Sequence, residues 1–145
     1  MISTGYSNIT PWKCPRDIFE EDLERKINAM TSQVKDMKNC IFNFHCPPYG
    51  TTLDLAPKLD ETLKPIVSGG GFVMEHVGSK AVRKVIEENQ PMIGLHGHIH
   101  ESRGVDNIGR TLCLNAGSEY TEGILRGILI VLSDGKIKSY SPVSG

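Results

Sequence analysis

Three histidines occupy alternate positions at the end of a short apolar run within Met92–Glu101. They are His96, His98 and His100, and in an extended backbone alternate side chains point to the same face. With a rise of about 3.3 Å per residue, His98 and His100 are expected about 7 Å apart at the backbone. Because imidazole is the commonest transition-metal ligand, this spacing predicts a pocket for one metal ion or two neighbouring ions.

The three histidines are not equivalent in this prediction. His96 lies furthest back in the apolar run, where it could support a ligand through hydrogen bonds or simply pack. Gly97 permits the turn of a strand that runs out into a loop, and it lets backbone or a ligand approach closely. We therefore expect His98 and His100 to bind metal and His96 to play a secondary part.

A second strand that ends in histidine is predicted earlier in the chain. Residues 39–45 favour a buried strand, and His45 stands at its carboxyl end, where α/β sheets place their ligands. Cys46-Pro47-Pro48 ends the strand, because proline cannot donate a hydrogen bond to a β-ladder. Together with His98 and His100, His45 becomes the third predicted metal ligand.

Two helices are expected to flank these strands. The first is predicted to open at Asp17, with Glu20 three residues later as in a capping box, and to bury a stripe that begins at Phe19. The second is predicted to begin after Ser79, which acts as its cap. Its amino end, with His76 just before it, could face an anion, although a solvent-exposed histidine beside a capped helix explains His76 equally well.

The remaining segments predict the fold class. Residues 51–77 are long and mostly without period, and we interpret them as a lid over the histidine pocket, with Asp54 facing the substrate or only forming a turn. The chain is then expected to turn through residues 103–109, to form a strand ending at Asn115, and to close with a hairpin around Asp134-Gly135. This order of elements predicts an α/β fold with mixed sheets.

Composition narrows the classes of function. The 145 residues include 39% hydrophobic residues and carry a net charge of −1, which suits one domain, residues 1–145. No basic stripe is present, so nucleic acid is not an expected partner. No apolar run approaches the roughly 18 residues of a membrane span, and no signal peptide is recognisable. Four cysteines without paired spacing favour free thiols and a cytoplasmic location.

The histidine motifs, taken together, resemble the carboxyl-terminal half of calcineurin-like metallophosphoesterases. The segments that carry the resemblance are His45 with Pro47-Pro48-Tyr49-Gly50, Asp54, His76-Val77-Gly78-Ser79, Gly97-His98-Ile99-His100, and Asn115-Ala116-Gly117-Ser118. The resemblance spans nearly the whole chain. It implies a four-layer αββα sandwich of mixed sheets and the hydrolysis of a phosphoester by metal-activated water.

The resemblance also implies roles for particular residues. In that family, the histidines matching His45 and His98 hold one ion of a dinuclear site, and the histidine matching His100 holds the other. The expected cofactors are therefore divalent ions (Mn, Zn, Fe or Mg), and the expected substrate is a small phosphoester. Four further residues are expected to support the ligands or to face the substrate: His96, His76, Asp54 and Asn115.

Three segments of the family pattern have no match in this chain. They are an Asp-x-His, a Gly-Asp whose aspartate bridges the metals, and a Gly-Asn-His-Asp/Glu, all of which normally precede the segments found here. The chain is therefore expected to be a half domain and to hold metal weakly or not at all when isolated, and its catalytic residues stay unassigned.

Three functions stay open on this basis. The first is a metal-dependent phosphoesterase whose remaining residues come from another segment. The second is a non-catalytic module for metal binding or oligomerisation, and the third is a stable α/β domain with vestigial histidines. Apolar surface left uncovered by the missing amino-terminal half predicts a homodimer, joined through the strand Cys40–Phe44 or the carboxyl-terminal hairpin.

Overall fold

The computed structural model describes all 145 residues as a mixed α/β protein. It has two helices, α1 (Glu20–Thr31) and α2 (Lys80–Asn89), and neither is long and apolar enough to cross a membrane. Single 3₁₀ turns cover Met37–Asn39 and Tyr120–Glu122. The strands in chain order are β1 (Ile2–Thr4), β2 (Ser7–Asn8), β3 (Asp17–Ile18), β4 (Ile41–Phe44), β5 (Leu55–Pro57), β6 (Val67–Ser68), β7 (Gly71–Phe72), β8 (Met74–His76), β9 (Ile93–His96), β10 (Gly104–Ile108), β11 (Thr111–Asn115), β12 (Arg126–Ser133) and β13 (Lys136–Ser144).

Five strands form the main sheet in the order β1, β4, β9, β11, β10. Neighbouring strands are parallel except β10 and β11, which are antiparallel. Asn43 pairs with Leu95 and Asn115 pairs with His96, so the carboxyl ends of β4, β9 and β11 meet at one edge of the sheet. The predicted mixed α/β class is confirmed, and this edge collects the candidate residues.

Both helices pack against one face of the main sheet. Alternation along β4 buries Phe42 and Phe44 on this face, and their ring centroids lie 4.9 Å apart. Burial of the apolar helix faces against the sheet stabilises both layers through the hydrophobic effect. The buried residues of this core are Leu23, Ile27, Cys40, Phe42, Phe44, Cys46, Leu53, Ala81, Val82, Val85, Ile86, Ile108 and Cys113.

The hairpin of β12 and β13 covers the opposite face of the sheet. Its two-residue turn, Asp134-Gly135, has positive φ at both positions (53° and 67°), as the Asp-Gly signal predicts. The apolar contact joins Ile93, Leu112 and Leu114 of the sheet to Ile128, Ile130 and Ile137 of the hairpin. The chain therefore has three layers, which are helices, main sheet and hairpin.

The predicted start of α1 is wrong. Asp17 lies in the short strand β3, and its Oδ2 accepts hydrogen bonds from the backbone N–H groups of Thr10 and Cys14, both at 2.9 Å. The helix begins at Glu20, and Phe19 before it is 67% exposed rather than part of the buried stripe. Residues 17–18 pair with β2 and are therefore in a strand rather than in the first turn of α1.

Two predictions about the main sheet are also wrong. Residues 104–108 form the edge strand β10 rather than a turn, because antiparallel pairing with β11 outweighs their polar composition. The strand β4, predicted as one seam of a homodimer, lies between β1 and β9. Its backbone is paired on both sides, so it offers no free edge to a second chain.

The segment predicted to be an aperiodic lid contains two small antiparallel strand pairs. β5 pairs with β8, and β6 pairs with β7, with Gly69-Gly70 between the inner strands. We call residues 55–76 the β-arm.

Candidate metal centre

His45 and His98 are in direct contact beyond the carboxyl ends of β4 and β9. Nδ1 of His98 lies 3.2 Å from Nε2 of His45, and the other ring nitrogen of His98 lies 3.1 Å from Oγ of Ser7. Two imidazole nitrogens bound to one ion at about 2.0–2.1 Å stand roughly 2.8–3.4 Å apart, depending on whether the angle at the ion is right or tetrahedral. The observed separation falls in this range and is also that of a hydrogen bond between the two rings, which the pair forms without metal.

The surroundings favour the neutral form of both rings. Burial lowers the pKa of His45, and the charges of Arg16 and His100 lower it further. Burial also lowers the pKa of His98, and His45 adds to this effect. Asp17 opposes it by raising the pKa of His98, and His100 again lowers it. Neutral imidazole is the form that binds metal.

The extended backbone predicted through the histidines ends at His96. His98 has φ of +66°, in the left-handed region, and the N–H of Ile99 bonds back to the carbonyl of Gly97 at 2.7 Å. The chain thus turns before His98, and alternate spacing is not what aligns its ring. A methyl group on Gly97 would meet no atom within 4 Å, so no protein group makes the predicted close approach there.

His100 lies near the histidine pair but makes its aromatic contact elsewhere. Its ring packs edge-on against Tyr120, with centroids 5.5 Å apart. Its charge influences the pKa of His45 and of His98. No three His, Cys, Asp or Glu side chains are grouped as ligands of a single ion. The structure therefore brings two of the three predicted ligands into contact and leaves the third nearby.

His96 is a structural residue that supports the segment around His45. It is buried, and its Nδ1 lies 3.1 Å from the carbonyl oxygens of both Phe44 and Cys46, the two neighbours of His45. Its Nε2 has no hydrogen-bond partner. Burial lowers the pKa of His96 to about 4. The neutral ring thus ties β9 to the end of β4.

Asn115 supports the loop that carries His98. Its side chain is fully buried, and its Nδ2 donates to the carbonyl of Ile99 at 2.9 Å and to that of Gly97 at 3.4 Å. Its Oδ1 accepts a hydrogen bond from the N–H of Gly117 at 2.9 Å. This predicted site residue therefore acts by holding backbone rather than by facing the cavity.

Asp54 and His76, singled out separately in the sequence, form a pair. Oδ1 of the fully buried Asp54 lies 2.8 Å from Nδ1 of His76. The same carboxylate accepts backbone hydrogen bonds from Thr51 at 2.9 Å and from Gly50 and Gly78 at 3.0 Å. These donors stabilise the buried carboxylate. Asp54 thereby orients the His76 ring through one nitrogen and leaves the other without a protein partner.

The anion at the amino end of α2 is a carboxylate of the protein itself. Glu20 accepts hydrogen bonds from the N–H groups of Lys80 at 3.0 Å and Ala81 at 2.9 Å, and from Oγ of Ser79 at 2.7 Å. Ser79 also accepts from the N–H of Val82, as predicted for a cap. Since these donors are occupied, His76 does not share a free anion site with the helix.

Ser7 and Asp17 act on His98 but were not predicted as site residues. Ser7 is buried against His98, and the charge of Asp17 acts on the same ring. Burial raises the pKa of Asp17, but hydrogen bonds from Thr10 and Cys14 outweigh it and lower the pKa overall. Pairing of β2 with β3 brings both residues to the site, and no local motif signals that pairing.

A cavity of about 950 Å³ adjoins His98, whereas His45 is not among the residues that line it. His76, His98 and His100 border it on one part of its surface. The loop of residues 9–12 and the β-arm supply most of its apolar lining. The segment interpreted as a lid therefore borders the same space as the histidines.

The comparisons with known proteins bear on the fold more than on chemistry. No family model matches the chain. The uncharacterized protein MJ1162 of Methanocaldococcus jannaschii is 37% identical over 116 residues, which cover 79% of this chain and 46% of that protein. A crystal structure with 21% identity matches 86% of this chain and 42% of its own, with a TM-score of 0.53. The chain spans less than half the length of each, and the solved structure supports the fold alone.

Proposed function

We propose that this chain is part of a metal-dependent phosphoesterase of the calcineurin-like type. The observation that carries the proposal is the 3.2 Å contact between His45 and His98 at the ends of adjacent parallel strands. The resemblance assigns these two histidines to one ion, and their contact has the spacing that such sharing requires. The adjoining cavity, bordered by His98 and His100, has room for a small phosphoester.

The residues present suit the first ion of such a site. His45 and His98 would hold it, and His100 would serve a second ion. Bound divalent ions lower the pKa of water towards neutrality and neutralise phosphoryl charge. The contribution of this chain is positioning, since His96 supports the segment of His45 and Asn115 holds the loop of His98.

The carboxylates of a dinuclear site are the part that this chain does not supply. Three neutral imidazoles provide no anionic bridge to hold two dications a few ångströms apart. Asp17 is the acidic residue whose charge reaches His98, but its carboxylate already accepts hydrogen bonds from Thr10 and Cys14. We infer that the bridging carboxylate comes from a further segment, for which the longer archaeal relative leaves room.

Metal titration combined with hydrolysis of a generic phosphodiester tests this proposal. The chain alone should bind Zn²⁺ or Mn²⁺ weakly and hydrolyse the diester barely or not at all. Supplying the part of the archaeal relative that this chain does not match should raise both metal affinity and hydrolysis. His98→Ala should abolish the gain, because it removes one of the two contacting ligands.

Asn43→Ala is the matched control for this experiment. Asn43 is an exposed polar residue of β4, two positions before His45, and its side chain bonds weakly to Ser3 at 3.4 Å. It should leave metal binding and hydrolysis unchanged. Metal affinity that is insensitive to His98→Ala would contradict the site. Robust turnover by the chain alone would instead show that a second copy provides the missing carboxylate, because Asp54 is buried and its oxygens are already hydrogen-bonded.

A non-catalytic oligomerisation or metal-binding module is the second candidate function. The observation that favours it is the exposed outer face of the hairpin, where Leu129 is 58% exposed and Val131 is 45% exposed. In a four-layer sandwich this face would be covered by further structure. Metal uptake without any gain of hydrolysis, once the additional segment is supplied, would favour this candidate over the phosphoesterase.

A further inference from the structure

The cavity beside the histidines has an apolar wall built from two segments that are distant in sequence. Several large side chains of this wall are strongly exposed, including Trp12 at 63%, Ile9 at 48% and Leu63 at 45%. Exposed apolar side chains around a concave surface are typical of a ligand site. The apolar residues of the wall include Ile9, Pro11 and Trp12 in the loop and Leu59, Leu63 and Pro65 in the β-arm.

Aromatic rings of the cavity make the wall suited to a flat ligand. Trp12 presents its indole, and the rings of Tyr49 and His76 lie with centroids 5.8 Å apart. Asp54 holds His76 by Nδ1, so the ring has a defined orientation and a second nitrogen without a protein partner. Stacking of a ligand ring on such groups adds affinity beyond simple burial of apolar area.

Charges around the cavity restrict where the phosphoryl group can lie. Two of the carboxylates that border it are engaged, Glu20 at the amino end of α2 and Asp60 with the N–H groups of Thr62 and Lys64. Three other charged residues border it as well: Glu75, Glu101 and Lys80. Lys80 is the one Lys or Arg of this lining, with Nζ 5.4 Å from the centroid of the Tyr49 ring, and Glu101 directly follows His100. The carboxylates therefore do not place the phosphoryl end by themselves, and its place at the histidines rests on the proposed metal ions, which would offset its charge.

We propose that this cavity binds a phosphoester whose leaving group is a flat aromatic ring. The ring lies against Trp12 and the apolar wall, and the ester oxygen lies on the side of His76 and His98. A volume of about 950 Å³ is within the usual range for small-molecule sites, roughly 300–1,000 Å³, and admits both parts of such a ligand. The inference rests on the proposed phosphoesterase function for the placement of the phosphoryl end alone.

Fluorescence of Trp12 offers a direct test, because it is the one tryptophan in the chain. The chain is titrated with phenyl phosphate and with glycerol 2-phosphate, with Mn²⁺ and after chelation. Phenyl phosphate should change the emission of Trp12 and bind about tenfold more tightly, the value that corresponds to one stacked ring. Equal affinity for the two esters, or no change in Trp12 emission with phenyl phosphate in either condition, would overturn the inference.

Two variants locate the ring. Trp12→Ala, followed by calorimetry, should bind both esters with equal affinity, whereas Phe72→Ala should keep the tenfold preference. Phe72 is the matched control, since it is an aromatic residue of the β-arm with 60% exposure and does not border the cavity. Leu63→Ser serves as a second wall variant and should reduce the preference. A preference that survives both Trp12→Ala and Leu63→Ser would place the ring elsewhere and overturn the inference.

Hydrolysis measured in the same samples, with the additional segment supplied, separates this inference from the proposed function. A preference for phenyl phosphate, without metal-dependent hydrolysis of either monoester or of the generic phosphodiester, would refute the phosphoesterase and leave the aromatic site standing. Hydrolysis of both esters with equal kcat/KM and equal affinity would support the phosphoesterase and overturn the aromatic site. Hydrolysis with a preference for phenyl phosphate in both Kd and kcat/KM supports both.

Discussion

His96 shows how a single buried residue can link the two strands that carry the candidate ligands. Its Nδ1 bonds to the carbonyls on either side of His45, while its Nε2 is buried without a partner. A charged imidazolium at this position would be desolvated, which is why burial lowers its pKa. The residue therefore couples protonation to the stability of the sheet edge.

Acidification should destabilise the folded chain between about pH 6.5 and pH 4. Below pH 6.5 the unfolded chain takes up a proton at His96 that the folded chain does not bind until about pH 4, so stability falls as pH falls. The loss should approach roughly 3 kcal/mol, and the lowered pKa values of His45 and His98 act in the same direction. Urea denaturation at a series of pH values measures this dependence.

His96→Asn is the control for the pH experiment. Asparagine can donate to the same carbonyls but does not titrate in this range. The variant should be less stable at neutral pH and should show a weaker dependence on pH. Identical pH dependence in the variant and the parent would show that His96 is not the group responsible.

Gly94 lies where the interior leaves no room for a side chain. A Cβ atom there would lie 2.7 Å from Nε2 of His96 and 3.2 Å from Sγ of Cys113, both in the packed interior. Gly94→Ala should therefore cost about 1–3 kcal/mol through overpacking. Gly97→Ala, where no atom lies within 4 Å, should change stability by less than about 0.5 kcal/mol. Equal effects in thermal unfolding would contradict this packing.

Among the elements, α1 and α2 are joined through the side chain of Glu20. This residue lies in the first turn of α1, yet its carboxylate binds the amino end of α2. Unpaired N–H groups and the helix dipole at that end favour a negative charge. Because the histidine-bearing strand β9 follows α2, this contact also fixes the segment that leads into the site.

Replacement of Glu20 therefore tests whether this carboxylate stabilises the chain by capping α2 or only by adding negative charge to the surface. Glu20→Ala should lower the free energy of unfolding by about 1–2 kcal/mol, since it removes three hydrogen bonds to the start of α2. Glu21→Ala removes the same charge from an exposed neighbouring position and should have little effect. Denaturation of the two variants at equal pH compares them. Equal losses would show that no capping is involved.

For the molecule as a whole, the hairpin of β12 and β13 has one covered face and one open face. Its inner face packs on the main sheet, whereas Leu129 and Val131 point outward. Each of its strands pairs only with the other, so both outer edges are also open. A surface of this kind favours association, and a two-fold pair is the simplest closed arrangement.

The chain should form a homodimer through this hairpin at micromolar concentration. Replacing Leu129 and Val131 together with lysine should yield a monomer of about 16.0 kDa in light scattering. Asn107→Lys, at an exposed position of the edge strand β10, should leave the dimer intact. A monomeric parent chain with cooperative unfolding would refute the dimer, and dissociation by Asn107→Lys alone would move the seam to β10.

Local signals in the sequence determined several elements correctly. The strand that ends near His45, the cap Ser79 and the Asp134-Gly135 turn each depend on a few adjacent residues. The strand predicted to run on to His100 ends instead at His96. The mixed α/β class follows from the order of these elements. Such features are predictable because backbone propensity, capping and turn geometry act over short distances along the chain.

Only the tertiary structure decided how the site is assembled. His45 and His98 are 53 residues apart, Asp54 and His76 are 22 apart, and Glu20 reaches α2 across about 60 residues. The turn at His98 replaced the expected extended backbone. These outcomes depend on strand order, on register and on burial of polar groups that must find partners. No short segment encodes them, because each partner lies on a different element of the fold.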